Sequence, residues 1–166
     1  MDIKQKTLNT PKYVMAALFC LLLGPGCSKA PIISEYRIGD RVVTGALTYN
    51  VVEARWSSQL EAFPAARIPD RNFLLVRVVI TNGGGSDASI PFLKLENSRS
   101  DTYAESNDGA GVDNWLGLLR RVAPAQTVDG WLLFDVPTSS YRLRVTDGAI
   151  EDEKVAFVTI PLTLQQ

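Results

Sequence analysis

Asn72-Phe73-Leu74-Leu75-Val76-Arg77-Val78-Val79-Ile80-Thr81-Asn82 is the longest apolar run in the chain after residue 35. Leu74, Val76, Val78 and Ile80 fall on one face of a period-2 strand, and Phe73, Leu75, Arg77 and Val79 on the other. One face is wholly apolar and the other nearly so. β-Branched content and a length bounded by Asn72 and by Asn82-Gly83-Gly84-Gly85 argue for a strand inside a sheet, not a helix. Burying four aliphatic side chains contributes about 1.5–3 kcal/mol each, so this strand is a large part of the core. Arg77 breaks the pattern and needs a sheet edge or an acidic partner, because an unpaired buried charge costs several kcal/mol.

Flanking strands are expected on both sides. Leu47, Tyr49 and Val51 alternate with Thr48 and Asn50, after which Val52, Ala54 and Trp56 take over. That phase change near Val51-Val52 predicts a bulge or bend. Residues 57–71, with Pro64 and Pro69, read as a long connection. Ile90 to Leu95 reads as a short strand opened by Pro91 and lying at an edge. Asn97 to Asn114 reads as the longest loop. In Thr127 to Val136, Val128, Leu132, Phe134 and Val136 share one face, with Trp131 and Leu133 opposite. Tyr141, Leu143 and Val145 alternate with Arg142 and Arg144 as a half-exposed strand. Asp147-Gly148 is a turn, and Val155 to Leu164 is the last strand, with Pro161 pointing to an edge. Roughly six to eight short strands without a helical period predict an all-β, immunoglobulin-like antiparallel sandwich.

Upstream, Lys4, Lys6 and Lys12 precede the apolar run Val14 to Leu23, then Gly24-Pro25-Gly26-Cys27. A basic segment, a short apolar segment and small residues before a processing point make a secretory signal. As a helix the apolar segment would span about 15 Å, against about 30 Å of bilayer hydrocarbon, too short for an anchor. The stretch Leu21-Leu22-Leu23-Gly24-Pro25-Gly26-Cys27-Ser28 resembles a bacterial lipoprotein leader, with Gly24 where that pattern prefers Leu. The resemblance implies cleavage before Cys27 and its lipidation, palmitate included; the alternative is an ordinary secretory leader that leaves Cys27 a free thiol. Ser28 implies the outer membrane, facing periplasm or surface, if the cell is Gram-negative. Two or more acyl chains would anchor the chain stably to a membrane. The expected organisation is a signal peptide over 1–26, a lipidated N-terminus and tether over 27–36, and the sandwich over 37–166.

Removing Asp2, Lys4, Lys6 and Lys12 with the leader leaves 14 basic against 17 acidic residues, a net charge of −3. No basic field remains for nucleic acid. Cys20 goes as well, so no intrachain disulfide can form. Stability must come from the core, and about 140 residues suffice for one.

Residues 37–164 also resemble a telokin-like, immunoglobulin-fold family of unknown function found in bacterial lipoproteins and secreted proteins. The matches are Gly45-Ala46-Leu47-Thr48-Tyr49; Phe73-Leu74-Leu75-Val76 through Thr81-Asn82; Pro91-Phe92-Leu93-Lys94-Leu95 with Tyr103 following; and Pro124 to Thr127 leading into Gly130-Trp131-Leu132-Leu133-Phe134-Asp135-Val136-Pro137. Ala125 departs from the pattern, which usually has Gly after Pro. The resemblance implies extracytoplasmic binding or structural work and carries no catalytic residue across.

The chain has no histidine, which removes the commonest general base and metal ligand and excludes zinc sites and histidine triads. Gly83-Gly84-Gly85 lacks the Lys-Ser/Thr of a phosphate loop and reads as a turn. In the acidic loop, Asp101, Glu105, Asn107, Asp108 and Asp113 offer hard oxygen ligands for calcium, without the spacing of an EF-hand; a solvated loop is the plainer reading. No carboxylate pair is fixed at hydrolase spacing. Trp115, Leu118 and Leu119 stand at i, i+3 and i+4, enough for one amphipathic helical turn, with Arg120 and Arg121 behind it. Such a turn either plugs the open end of the sandwich or offers an aromatic anchor to a partner protein or the membrane. Trp56 and Trp131 are expected in the core. The expectation is therefore a non-enzymatic, lipid-anchored envelope protein that binds a protein partner and takes no cofactor, with a calcium- or small-ligand-binding domain as the alternative.

Overall fold

The computed structural model describes residues 34–118 and 120–162. The leader over 1–26, Cys27 and Leu119 lie outside the described residues. Among those described there are eleven strands and no helix: β1 (Glu35–Arg37), β2 (Arg41–Thr44), β3 (Leu47–Ser57), β4 (Phe73–Asn82), β5 (Ala88–Ser89), β6 (Lys94–Glu96), β7 (Thr102–Ala104), β8 (Arg121–Val122), β9 (Thr127–Asp135), β10 (Tyr141–Thr146) and β11 (Val155–Ile160).

The run over 72–82 is β4, and it lies inside the sheet β2-β3-β4-β9. Its even residues, Leu74, Val76, Val78 and Ile80, have no exposed surface and pack with Tyr49, Leu132 and Phe134 against Leu95, Leu143, Val145 and Val158 of the other sheet. That second sheet runs β1-β11-β10-β6-β7, and β5 pairs with β8 as a small ribbon. The two layers make a β-sandwich. The Tyr49 hydroxyl crosses between them, donating to Thr146 O at 2.7 Å. Burial raises that hydroxyl's pKa well above the ordinary tyrosine value.

The odd face of β4 divides in two. Phe73 and Leu75 join Leu60 and Leu133 in a second buried cluster, with Val112 and Trp131 packed on it. Further along, Arg77 is half-exposed and grips Asp129 of β9 with two hydrogen bonds of 3.0 and 2.7 Å. This pairing holds the Asp129 carboxyl below the usual carboxylate range. The acidic partner required by the sequence is therefore on the adjacent strand.

The phase change in β3 is a bulge: Val51 pairs with Val78, and the next pair is Glu53 with Arg77, so Val52 is the extra residue. Other expectations need correction. The sandwich is not purely antiparallel, because β1 runs parallel to β11. Residues 35 and 36, expected in the tether, are part of β1. The β1–β11 pairing also puts β11 inside its sheet, so Pro161 follows the strand without marking an edge. Of the Ile90 to Leu95 segment only Lys94 and Leu95 join a strand, β6, and it lies between β10 and β7 rather than at an edge. Its edge position is taken by β7, which lies within the stretch expected to be loop and pairs Tyr103 with Leu95. Trp56 and Trp131 are half-buried against the two clusters.

Asn82 ends β4 with its side chain wholly buried. Its Nδ2 donates to Ser86 O and Val122 O, both at 2.8 Å, and its Oδ1 accepts from Gly84 N–H at 2.8 Å. The triple-glycine turn is thus tied to β8. The neighbouring turn carries Ala125 at φ +60°. Left-handed backbone suits glycine, so Ala125 stands in a strained position.

Leu74→Ala is expected to lower the unfolding free energy in urea by about 2–5 kcal/mol, since the void left in a closed core cannot fill. A loss near 0.5 kcal/mol, the size of a surface change, contradicts the placement of β4. Ala125→Gly is expected to raise stability by up to about 1 kcal/mol, relief of left-handed strain exceeding the added freedom of the unfolded chain. A lowered melting temperature contradicts the strain assignment.

Candidate functional site

Residues 105–121 do not form the helical turn expected through Trp115, Leu118 and Leu119. Asn114 at φ +53° and Gly117 at φ +75° place left-handed backbone on both sides of Trp115, which a right-handed turn cannot accommodate. The segment instead lies along the outer edge of β9. Leu116 N–H donates to Trp131 O at 3.1 Å, and Trp131 N–H donates to Asn114 O at 3.0 Å. Asn114 Nδ2 reaches Asp129 O at 2.8 Å, and Ser106 N–H reaches Leu133 O at 2.7 Å. These bonds satisfy backbone groups that an edge strand otherwise offers to other chains. Gly130 makes the approach possible: a Cβ there would lie 2.6 Å from Asn114 O. Gly109 does the same under the Trp115 ring, where a Cβ would come within 2.0 Å. The segment therefore covers a sheet edge and does not plug the open end. Trp115 is half-buried, with its indole Nε1 buried and making no hydrogen bond.

The ends of this cover are joined by charge. Glu105 and Arg120 have side chains 0% and 2% exposed and pair through both carboxylate oxygens, the Nη1–Oε2 contact being 3.0 Å. Arg120 Nε also donates to Gly117 O at 2.6 Å, and Glu105 Oε2 accepts from Leu93 N–H at 3.3 Å. The Arg120 guanidinium lies over the Phe92 ring at 5.1 Å. Burial pushes the Glu105 carboxyl up, opposed by the Arg120 guanidinium and the Leu93 amide. Two expectations are corrected here. Arg120 is committed inside the protein and does not reach out to acidic or phosphate groups, and Glu105 is not an open ligand of the acidic loop.

The other carboxylates of that loop are also apart from one another. Asp101 accepts from Asn97 Nδ2 at 2.8 Å and pairs with Arg99 at 3.4 Å. Asp108 pairs with Arg67 at 3.5 Å and accepts from Ala110 N–H at 2.9 Å. Asp113 is exposed, on the rim of a 460 Å³ concavity shared with Arg55 and Glu61. Among the described residues, no three His, Cys, Asp or Glu side chains converge where they could hold a metal ion. Asp101, Glu105, Asp108 and Asp113 do not make one site.

Among the described residues flanking Trp115, Leu118 is 49% exposed and Arg121 is also exposed. With Ser89, Ile90 and Arg120 they line a concavity of about 430 Å³. Phe92, 47% exposed, stands beside it on Arg120. Phe92 had its place in the sequence as framework; its signal was being out of phase with Leu93 and Leu95, both buried.

Glu105→Gln or Arg120→Met is expected to cost about 3–5 kcal/mol, since each leaves a buried charge unpaired. Glu105→Leu combined with Arg120→Met is expected to recover most of that loss in urea unfolding. A double variant as unstable as the sum of the singles contradicts the pairing.

The family model Domain of unknown function (DUF4352) matches residues 36–155. No curated protein matches the chain. Several solved structures share the fold, three of them as follows. A Bacillus subtilis protein, ycdA, described as a candidate lipoprotein, superposes with a TM-score of 0.58 at 14% identity, over 74% of this chain and 38% of its own. This chain thus spans well under half the length of that relative. A β-sandwich protein of Clostridium difficile gives 0.51 at 11% identity, over 77% and 94% of the two chains. The secreted protein MPT63 of Mycobacterium tuberculosis gives 0.54 at 14% identity, over 80% and 99%.

Proposed function

The chain belongs to the family Domain of unknown function (DUF4352), and on that premise we propose that it is a non-enzymatic module of the bacterial envelope, anchored through acylated Cys27 and binding an envelope protein. The sandwich is of immunoglobulin-like, telokin-like type in this reading. The observation that carries the reading is the order of parts along the chain. Lys4, Lys6 and Lys12, an apolar segment and Gly26-Cys27-Ser28 are followed within eight residues by the first strand at Glu35. A short tether then holds a folded domain close to the bilayer, and if the cell is Gram-negative Ser28 directs it to the outer membrane.

Binding without catalysis is supported by where the reactive side chains are committed. Glu105 is paired with Arg120, Asp129 with Arg77, and Glu35 and Glu96 share Arg142. The Phe92, Leu118 and Arg121 surface is the part of the Trp115 region left for a partner, with two apolar side chains and one cation beside a concavity. No cofactor is assigned.

Cys27→Ala is expected to move the protein from the membrane fraction to the soluble fraction. A variant that stays membrane-bound refutes the lipid anchor. Leu118→Ser with Arg121→Glu is expected to leave the melting temperature within about 2 °C of wild type, as exposed positions do, and to abolish cross-linking of the anchored protein to its partner. Retention of the same adduct moves the contact elsewhere.

A further inference from the structure

The 460 Å³ concavity with Asp113 on its rim lies where β3, the connection after it and the 105–121 segment meet. Its volume falls within the range of small-molecule sites, about 300–1,000 Å³. Each of the three elements contributes one charged side chain to the lining: Arg55, Glu61 and Asp113. Among the described residues, none of these three makes an ion pair or a side-chain hydrogen bond. Arg67, Arg77, Arg120, Arg142 and Arg144, by contrast, each hold a carboxylate. Opposite charges that share a concavity without reaching one another can be satisfied together by a charged ligand placed between them.

Each charge is carried by backbone that the fold holds in place. Arg55 is on β3 opposite Leu75, and its guanidinium lies over the Trp131 ring at 4.5 Å. Stacking occupies the face of the guanidinium and leaves its N–H groups, which donate in its plane, for a carboxylate. Trp131 is fixed in turn by its backbone bonds to Asn114 and Leu116. Glu61 follows Leu60, which is buried in the second cluster and exchanges two backbone hydrogen bonds of 2.9 and 2.8 Å with Arg67. Asp113 follows Val112, which packs on the same cluster. The two loops are in contact between these acids: at Gly111, φ +80°, a Cβ would come within 2.6 Å of Glu61 O. Arg67 Nη1 ties them again, donating to Asp108 O at 2.8 Å. Leu60 and Leu75, both buried, complete the lining on the core side.

We propose that this concavity binds a free basic amino acid, its α-carboxylate on Arg55 and its two cationic groups on Glu61 and Asp113. The charge count selects that class. One cation and two anions leave the site with an excess of one negative charge, so its complement carries one carboxylate and two cationic groups. A diamine has nothing for Arg55, and a neutral amino acid leaves one carboxylate without a partner. Because β3 and the tied loops hold the backbone of all three residues before a ligand arrives, binding orders only side chains and loses less entropy. The site depends neither on the lipid anchor nor on the Phe92 and Leu118 surface, and it stands if either fails.

The test is calorimetric titration of the detergent-solubilised, full-length protein with three compounds: L-lysine; cadaverine, which lacks the carboxylate; and L-norleucine, which lacks the side-chain ammonium. L-Lysine is expected to bind at one saturable site at least about tenfold more tightly than either analogue, the size of one charge-assisted contact. Arg55→Gln is expected to erase the preference for lysine over cadaverine and keep the preference over norleucine. Glu61→Gln with Asp113→Asn is expected to do the reverse. Melting temperatures are expected to stay within about 4 °C of wild type, as for exposed positions. The two acids are exposed, so their double variant decides the matter even where Arg55→Gln loosens Trp131. A Kd for lysine above about 10 mM, equal affinity for the three compounds, or a preference that survives its matching substitution overturns the site.

Discussion

The structure depends on β4 being buried on both faces. An antiparallel sandwich ordinarily gives each strand one core face and one wet face. Here Leu74, Val76, Val78 and Ile80 fill the space between the sheets, while Phe73 and Leu75 turn the other way and still need cover. Only loops are available on that side, so the connection over 58–72 and the segment over 105–121 become a partial third layer. Where the cover stops, the strand turns polar: Arg77 is half-exposed and held by Asp129.

Loops doing the work of a layer must satisfy their own backbone and hold their shape. The 105–121 segment does this by pairing with the outer edge of β9 around Trp131 and by closing its ends through Glu105 and Arg120. A buried pair of that kind contributes little net stability compared with apolar residues, but it makes the segment all-or-none, because neither partner tolerates the loss of the other. The functional consequence is selective. Trp115 and Arg120, which read from the sequence as part of a binding constellation, are committed to the fold, while Leu118, Arg121 and Phe92 stay exposed.

Period-2 patterning made β4, β9, β10 and the bulge at Val52 legible, because each strand's burial is set by its own alternation. The small strands were not legible for the opposite reason. β1 and β7 have three residues each and exist because a neighbour pairs with them; nothing in Glu35–Arg37 announces a parallel partner 122 residues later. The Trp115 segment was misread on spacing alone: i, i+3, i+4 says which residues would share a helical face and not whether the backbone is helical. Gly111, Asn114 and Gly117 were the available signal, three residues that tolerate positive φ placed around one tryptophan. Glu105 looked like one more loop carboxylate, since no sequence pattern marks its pairing with Arg120 fifteen residues on.

The 105–121 segment is a structural layer of the sandwich. Native-state hydrogen exchange of the Ser106, Leu116 and Trp131 amides tests it most directly, because their partners lie between the cover and β9. If the cover is part of the fold, these three amides exchange only with global unfolding, as slowly as the core amides of β4. If they exchange at loop rates while β4 stays protected, the segment is a detachable surface element and not a layer of the fold.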